Sequence, residues 1–411
     1  MTLAVKTVFR ILSKFEFKKN LFSLIFILFF FLLFPELSAQ EHIIRTGAEN
    51  TEAYLPLLKG KRVALVANNT SIIDNTNLVD SLLKLNVQII KIFCPEHGFR
   101  GKGDAGEAMN NSVDPKTGLS LISIYGEHVQ PQPSDLEDVD IVVFDLQDVG
   151  VRFYTYTSTL YYVMEACAEN GKEMILLDRP NPNGFYVDGP VLKKRFKSFV
   201  GLHQVAMVHG MTLGEYAQMI IGEDWLKTNK KCNLKVVCCT NYTHKSLYRL
   251  KVNPSPNLQN MLSIYLYPSL ALFEGTHISV GRGTDFPFQV FGHPQMTNAS
   301  FTFTPRSIKG ICKYPPLEGQ TCFGVDLRNV NEKEIIGKKQ IDLSYLKFAY
   351  ENFPDKENFF NEFFYNLSGT QELRKQIEKN VPIEEIRESW QSKLSKFKEM
   401  RKKYLLYPDF E

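Results

Sequence analysis

The chain has 411 residues, more than one hydrophobic core ordinarily serves, so two domains are the expectation. Its composition, 44% hydrophobic and 23% charged, excludes a disordered or fibrous protein. A net charge of only +3 gives no electrostatic footing for nucleic acid or for a strongly acidic partner.

At the N-terminus, Lys6, Arg10, Lys14, Lys18 and Lys19 precede an apolar block at 21–34. Pro35 and the small-residue site Leu37-Ser38-Ala39-Gln40 follow. This is the layout of a secretory signal cleaved after Ala39, and the block is short for a spanning helix. Residues 1–39 are assigned to a signal peptide. The protein is then exported, periplasmic or secreted, and touches a membrane only through an uncleaved signal segment. The seven cysteines are odd in number and scattered. Cys312 and Cys322 are spaced to bridge a short loop, but no disulfide framework is indicated.

From residue 61 a pattern recurs in which a short apolar run ends in a polar cluster and a helical stretch follows. Residues 62–67 (RVALVA) end at Asn68-Asn69, and 87–93 at Glu96-His97. Residues 140–144 (DIVVF) end at Asp145, Gln147 and Asp148, and 174–177 (MILL) at Asp178-Arg179. Continuous rather than alternating runs suit strands covered on both faces of a parallel sheet. Helices are predicted over 77–85 and 158–170, with Gly171 as a stop. The alternation predicts an α/β fold with right-handed crossovers. Ligands in such sheets bind beyond the carboxyl ends of the strands, so all these polar residues are expected along one edge.

The stretch 149–159 (VGVRFYTYTST) alternates Arg152, Tyr154 and Tyr156 with Phe153 and Thr155. It reads equally as an extended segment with one buried face or as a cation and two rings lining a sugar or acid pocket. The stiff loop 179–184 (RPNPNG), which holds Asn181, is either structural or a cleft wall. His209 precedes a helix over 213–221, for which Thr212 and Glu215 form a capping box. His209 itself fits a structural or a substrate-facing role. A polar, basic shift at 227–231 (KTNKK) marks a boundary between a domain over 40–230 and one over 231–411. The second carries the turn-forming segments Glu274-Gly275-Thr276 and Gly281-Arg282-Gly283-Thr284, which would face the first across a cleft. A strand is expected at 322–327 and helices at 345–353 and 383–403, the last as a solvated surface, with 405–408 docking as packing.

The chain has no GxSxG, HExxH or GxxxxGK[ST] motif. A GxGxxG match at 101–106 lies in the wrong βα unit for a nucleotide site, and no spacing supports a metal. Neither cofactor nor metal is expected. What remains at the cleft is carboxylates, a histidine, arginines and tyrosines, the set that glycosidic hydrolysis needs. Glu96, directly after an apolar strand and Pro95, is the candidate acid/base. Its partner is Glu274, Asp145 or Asp148. His97 beside it is a base or an orienting, substrate-contacting group, and Asn69 and Arg100 are further substrate-facing candidates.

The motifs support a specific resemblance. They include Pro95-Glu96-His97-Gly98 with Arg100, Asp114 with Thr117-Gly118, Tyr125-Gly126 and FDLQDVGVRFYTY (144–156). LDRPNPNG (177–184), HGMT (209–212), PSPN (254–257), Glu274-Gly275-Thr276, GRGT (281–284) and Tyr404-Leu405-Leu406-Tyr407 continue the series in order. In these the chain resembles the DUF1343 family of NamZ-type exo-β-N-acetylmuramidases, glycoside hydrolase family 171. The resemblance implies a Rossmann-like N-terminal domain with a mostly parallel sheet, a C-terminal α/β domain and an active-site cleft between them. It implies release of N-acetylmuramic acid from non-reducing ends of peptidoglycan fragments such as MurNAc-GlcNAc, with Glu96 at the position of the family's proposed catalytic glutamate. The lactyl carboxylate of muramic acid calls for a cation, for which Arg152, Arg179 and Arg282 are candidates, with Tyr154 and Tyr156 stacking on the sugar. The competing reading is a non-catalytic envelope protein that binds wall fragments in the same cleft.

Overall fold

The continuous apolar runs form the middle of a sheet. A computed structural model describes residues 43–100 and 111–411; the signal-type segment 1–39 and the GxGxxG match at 101–106 lie outside them. Among the described residues, β1 (Val63–Ala67), β2 (Ile89–Cys94), β3 (Ser112–Val113), β4 (Ser120–Ser123), β5 (Ile141–Asp145), β6 (Glu173–Leu177) and β7 (Asn233–Val237) make one seven-stranded sheet. The order is β3-β4-β2-β1-β5-β6-β7, and every pairing is parallel except that of the edge strand β3 with β4. Strands β1 and β5 are buried at every residue, as two-sided cover requires. Strand β7 lies beyond the composition shift at 227–231 and completes this sheet. Residues 44–411 form one compact unit.

Local signals place the helices. In α1 (Leu78–Lys84) the Asn77 side chain caps the Val79 N–H at 3.0 Å. Helix α2 (Tyr156–Glu169) begins two residues earlier than its predicted start. Helix α3 (Leu213–Gly222) has the predicted capping box, with Thr212 and Glu215 bonding reciprocally at 3.3 and 2.9 Å. A small antiparallel sheet follows, in which β10 (Cys322–Asp326) lies between β8 (Val290–His293) and β9 (Phe301–Phe303). Cys312 and Cys322, spaced to bridge a short loop, do not do so, and no cysteine is in a disulfide. One sequence expectation is corrected at the C-terminus. Helix α6 (Ile383–Lys402), which follows α4 (Met261–Leu270) and α5 (Ser344–Asn352), is not merely a solvated surface. It buries Ile386, Trp390, Leu394, Phe397 and Arg401, an i, i+4 stripe that its many charges mask on a first reading.

The terminal Tyr407 docks through polar bonds as well as packing. Its hydroxyl donates to Asp178 Oδ2 at 2.6 Å and accepts from the Cys239 N–H at 2.9 Å. Burial pushes the Asp178 carboxyl up to about 6, against the lowering effect of hydrogen bonds from Tyr407, Thr212 and Gly214. A carboxyl whose folded pKa exceeds its unfolded one destabilises the fold once ionised. Stability is therefore expected to rise as pH falls from about 6 towards 4, by up to about 3 kcal/mol from this group. Urea unfolding of Asp178→Asn beside the parent checks this; equal pH slopes over that window would remove Asp178 as the source.

Candidate active site

The sheet changes winding direction at β1, because the chain passes from β1 to β2 and β4 on one side and then to β5 on the other. Such a point opens a crevice at the carboxyl ends of the strands. Glu96 stands there, two residues past the end of β2 at Cys94. The Thr155 hydroxyl, just ahead of α2, donates to Glu96 Oε2 at 3.0 Å. The Tyr125 hydroxyl, two residues past β4, hydrogen-bonds the same carboxylate. Burial first, and then the Glu96 charge, hold the Tyr125 phenol protonated, so it remains a donor.

His97 adopts the left-handed conformation (φ 70°) and turns the chain sharply after Glu96. Its Nε2 lies 3.3 Å from Ser255 Oγ. Two other predicted residues reach the same loop at 253–257. Asn69 Nδ2 donates to the Asn253 carbonyl at 3.1 Å, and the Tyr154 hydroxyl to the Pro254 carbonyl at 2.7 Å. The structure thus brings Asn69, His97 and Tyr154 together as clamps on this loop.

The facing wall comes from α4 and the segments after it. Glu274 sits in the 3₁₀ turn Ala271–Gly275. Arg282 Nε donates to Glu274 Oε1 at 2.6 Å, and the guanidinium lies 5.0 Å from the centre of the Phe288 ring. The two side chains keep 20% (Arg282) and 23% (Glu274) of their surface exposed. Burial works against the Arg282 charge, but Glu274 outweighs it and holds the guanidinium above its ordinary value. Tyr267 joins the two walls. Burial raises its phenol, and the charges of Glu274, Arg282, Glu96 and Asp148 all act on it. Those of Glu96 and Arg282 act on Tyr125 in opposite senses.

The remaining predicted residues make their bonds within the fold around this cluster, although Asp148 Oδ1 and His209 Nε2 are buried without a hydrogen-bond partner. Arg179 is buried against Asp145, with Nε–Oδ1 2.5 Å and Nη2–Oδ2 2.8 Å, and also donates to the Ile72 carbonyl. Gln147 Nε2 donates to the carbonyls of Asp148 and Pro180, both at 2.8 Å. Arg152 is fully buried; its guanidinium donates to the carbonyls of Pro190, Val205 and Leu367, and burial pushes its pKa down to about 10. Arg100 makes a two-point pair with Asp114 at 2.9 and 2.8 Å, which holds that carboxyl down to about 2. Tyr156 accepts from Asn68 Nδ2 at 2.6 Å, and its ring meets Tyr154 edge-on at 4.9 Å, so neither ring offers an open face. Asn181 donates to the Met211 carbonyl at 2.9 Å, and a Cβ at Gly150 (φ +79°) would come within 2.3 Å of its Oδ1. Asp148 Oδ2 accepts from the Gly150 N–H at 2.6 Å and lies 3.7 Å from Nε2 of the buried His209. His209 Nδ1 accepts from the Met211 N–H at 3.2 Å, which leaves the ring proton on Nε2.

Sequence reasoning missed Tyr125, Thr155 and Tyr267. Tyr125 follows a strand of only four residues, SLIS, with no apolar run to flag its end. Tyr267 lies in a helix buried at all ten positions, which shows no amphipathic pattern. Thr155 was visible only as the polar partner in an alternating stretch.

The comparisons with known proteins follow the same segments. Residues 63–262 match the family model described as exo-beta-N-acetylmuramidase NamZ, N-terminal, and residues 265–407 match its C-terminal counterpart. The chain is 36% identical over 391 residues to the peptidoglycan beta-N-acetylmuramidase NamZ of Bacillus subtilis (strain 168), covering 90% of this chain and 93% of that one. It is similar to the crystal structure of a DUF1343 family protein from Bacteroides fragilis NCTC 9343, with TM-score 0.83 and 48% identity over 89% of this chain and 99% of that one. A second DUF1343 structure from that strain gives TM-score 0.72 and 30% identity with the same coverage. Matched in order from the strands that carry Glu96 to the terminal Tyr407, the chain belongs to the exo-beta-N-acetylmuramidase NamZ family.

Proposed function

We propose that this glycoside hydrolase releases N-acetylmuramic acid from the non-reducing ends of peptidoglycan fragments, MurNAc-GlcNAc among them, with Glu96 as the acid that protonates the departing glycosidic oxygen. The observation that carries the reading is Glu96 at the crevice edge, fixed by the hydroxyls of Thr155 and Tyr125 and facing the Glu274–Arg282 wall. Two hydroxyl donors leave the carboxyl little rotational freedom, and a positioned acid of this kind contributes about 100- to 10,000-fold to rate. The N-terminal segment 1–39 directs export in this account, which puts the protein beside its substrate; an exported chain that begins at Gln40 is the expected product.

Incubation of the protein with the MurNAc-GlcNAc disaccharide tests the activity. Equimolar free N-acetylmuramic acid and N-acetylglucosamine are expected by mass spectrometry. Tight binding of the disaccharide without cleavage would instead make the protein a binder of wall fragments.

A further inference from the structure

Four arginines carry the guanidinium chemistry that suits a carboxylate, and the structure separates them. Arg100 is occupied by Asp114, Arg179 by Asp145, and Arg152, whose buried Nε is also unpartnered, is enclosed at 1% exposure among three backbone carbonyls. Arg282 is engaged differently. Glu274 takes only its Nε, Nη1 is buried with no hydrogen-bond partner, and a fifth of the side chain faces outward. A guanidinium has five donors in a planar fork, so an arginine held by one edge keeps the rest of the fork for a second planar anion. Unmade donors at a partly buried arginine are uncommon in a finished structural ion pair. Phe288 supports the plane of the guanidinium at 5.0 Å.

Its place also fits. Arg282 lies over the Phe288 ring, Phe288 meets Tyr267 at 5.0 Å and Tyr267 meets Tyr154 at 6.1 Å, next to Thr155, whose hydroxyl bonds Glu96, so a short chain of rings links the cation to the acid. A substrate anion brought beside Glu274 would be repelled unless a cation stood with it. The muramic sugar differs from N-acetylglucosamine by one lactyl ether that ends in a carboxylate. We propose that Arg282 is the residue that selects the muramic sugar, by pairing with this carboxylate, and that Glu274 is a positioning residue that aims Arg282 rather than the second catalytic carboxylate. The proposal rests on the muramidase reading above and assigns its specificity.

The test uses an aryl β-glycoside of N-acetylmuramic acid and the methyl ester of its lactyl group, with the parent, Arg282→Met, Arg282→Lys and Glu274→Gln. For the parent, the acid should exceed the ester in kcat/KM by about 10- to 100-fold, mostly through KM, the span expected for one hydrogen-bonded ion pair. Arg282→Met should bring that ratio near one, and Arg282→Lys should restore part of it by charge alone. Glu274→Gln should raise KM for the acid more than for the ester. A parent-like ratio in Arg282→Met would overturn the assignment of Arg282. A collapse of kcat on both substrates in Glu274→Gln, relieved by added azide or formate, would make Glu274 a catalytic carboxylate. If the parent cleaves neither substrate, the muramidase reading fails by itself. Calorimetric binding of N-acetylmuramic acid and its methyl ester then still decides Arg282, whose replacement by Met should erase any preference for the acid. Near-parent circular dichroism and melting curves show that each variant is folded.

Discussion

Glu96→Gln is expected to lower kcat/KM on the disaccharide by about 100- to 10,000-fold while the melting temperature stays close to the parent's. The amide has the size of the carboxyl it replaces, and its oxygen can still accept from the Thr155 hydroxyl. What it lacks is the proton to give. Because Glu96 is half-buried at a crevice edge rather than in the core, the substitution leaves no buried orphan charge. Equal turnover by parent and variant would remove Glu96 as the acid.

Arg179→Ala should carry the largest stability effect. Asp145 is wholly buried at the end of β5, and its two oxygens are both held by Arg179. Removal of one partner from a buried pair strands the other charge at a cost of about 3–5 kcal/mol. The Ile72 carbonyl loses a donor in the same change. Urea unfolding would show the loss as a lower midpoint with an unchanged slope. Replacement of both residues by apolar ones should recover much of it, since a well-packed apolar pair is often as stable as a buried ion pair. A loss below about 1 kcal/mol with strongly weakened substrate binding would instead make Arg179 a substrate contact.

Much of the fold was legible because burial on both faces writes itself into a strand as an unbroken apolar run. Strands β1, β2, β5 and β6 were placed to within two residues at either end, and their polar ends fell on one edge. Strands β4 and β7 escaped because they lie towards the margins of the sheet, where SLIS and NLKVV are only partly buried. The site was legible in part. Glu96 announced itself by its place after a strand, and the Glu274–Arg282 wall by its turns. Arg152, Arg179 and Gln147 have the residue types of a sugar pocket, yet they bond backbone carbonyls and each other's loops. Residue type alone does not tell a guanidinium that meets a ligand from one that meets the fold. That difference lies in long-range pairings such as Arg152 with Leu367, which local pattern does not encode.

The most direct test of Glu96 as the proton donor compares leaving groups. A dinitrophenyl glycoside departs without protonation, whereas the GlcNAc leaving group of the disaccharide does not. In Glu96→Gln the rate-limiting loss is expected on the disaccharide, with at least about 10-fold less loss on the dinitrophenyl substrate. The same loss on both substrates would contradict the account, because it would show that Glu96 acts on something other than the departing oxygen.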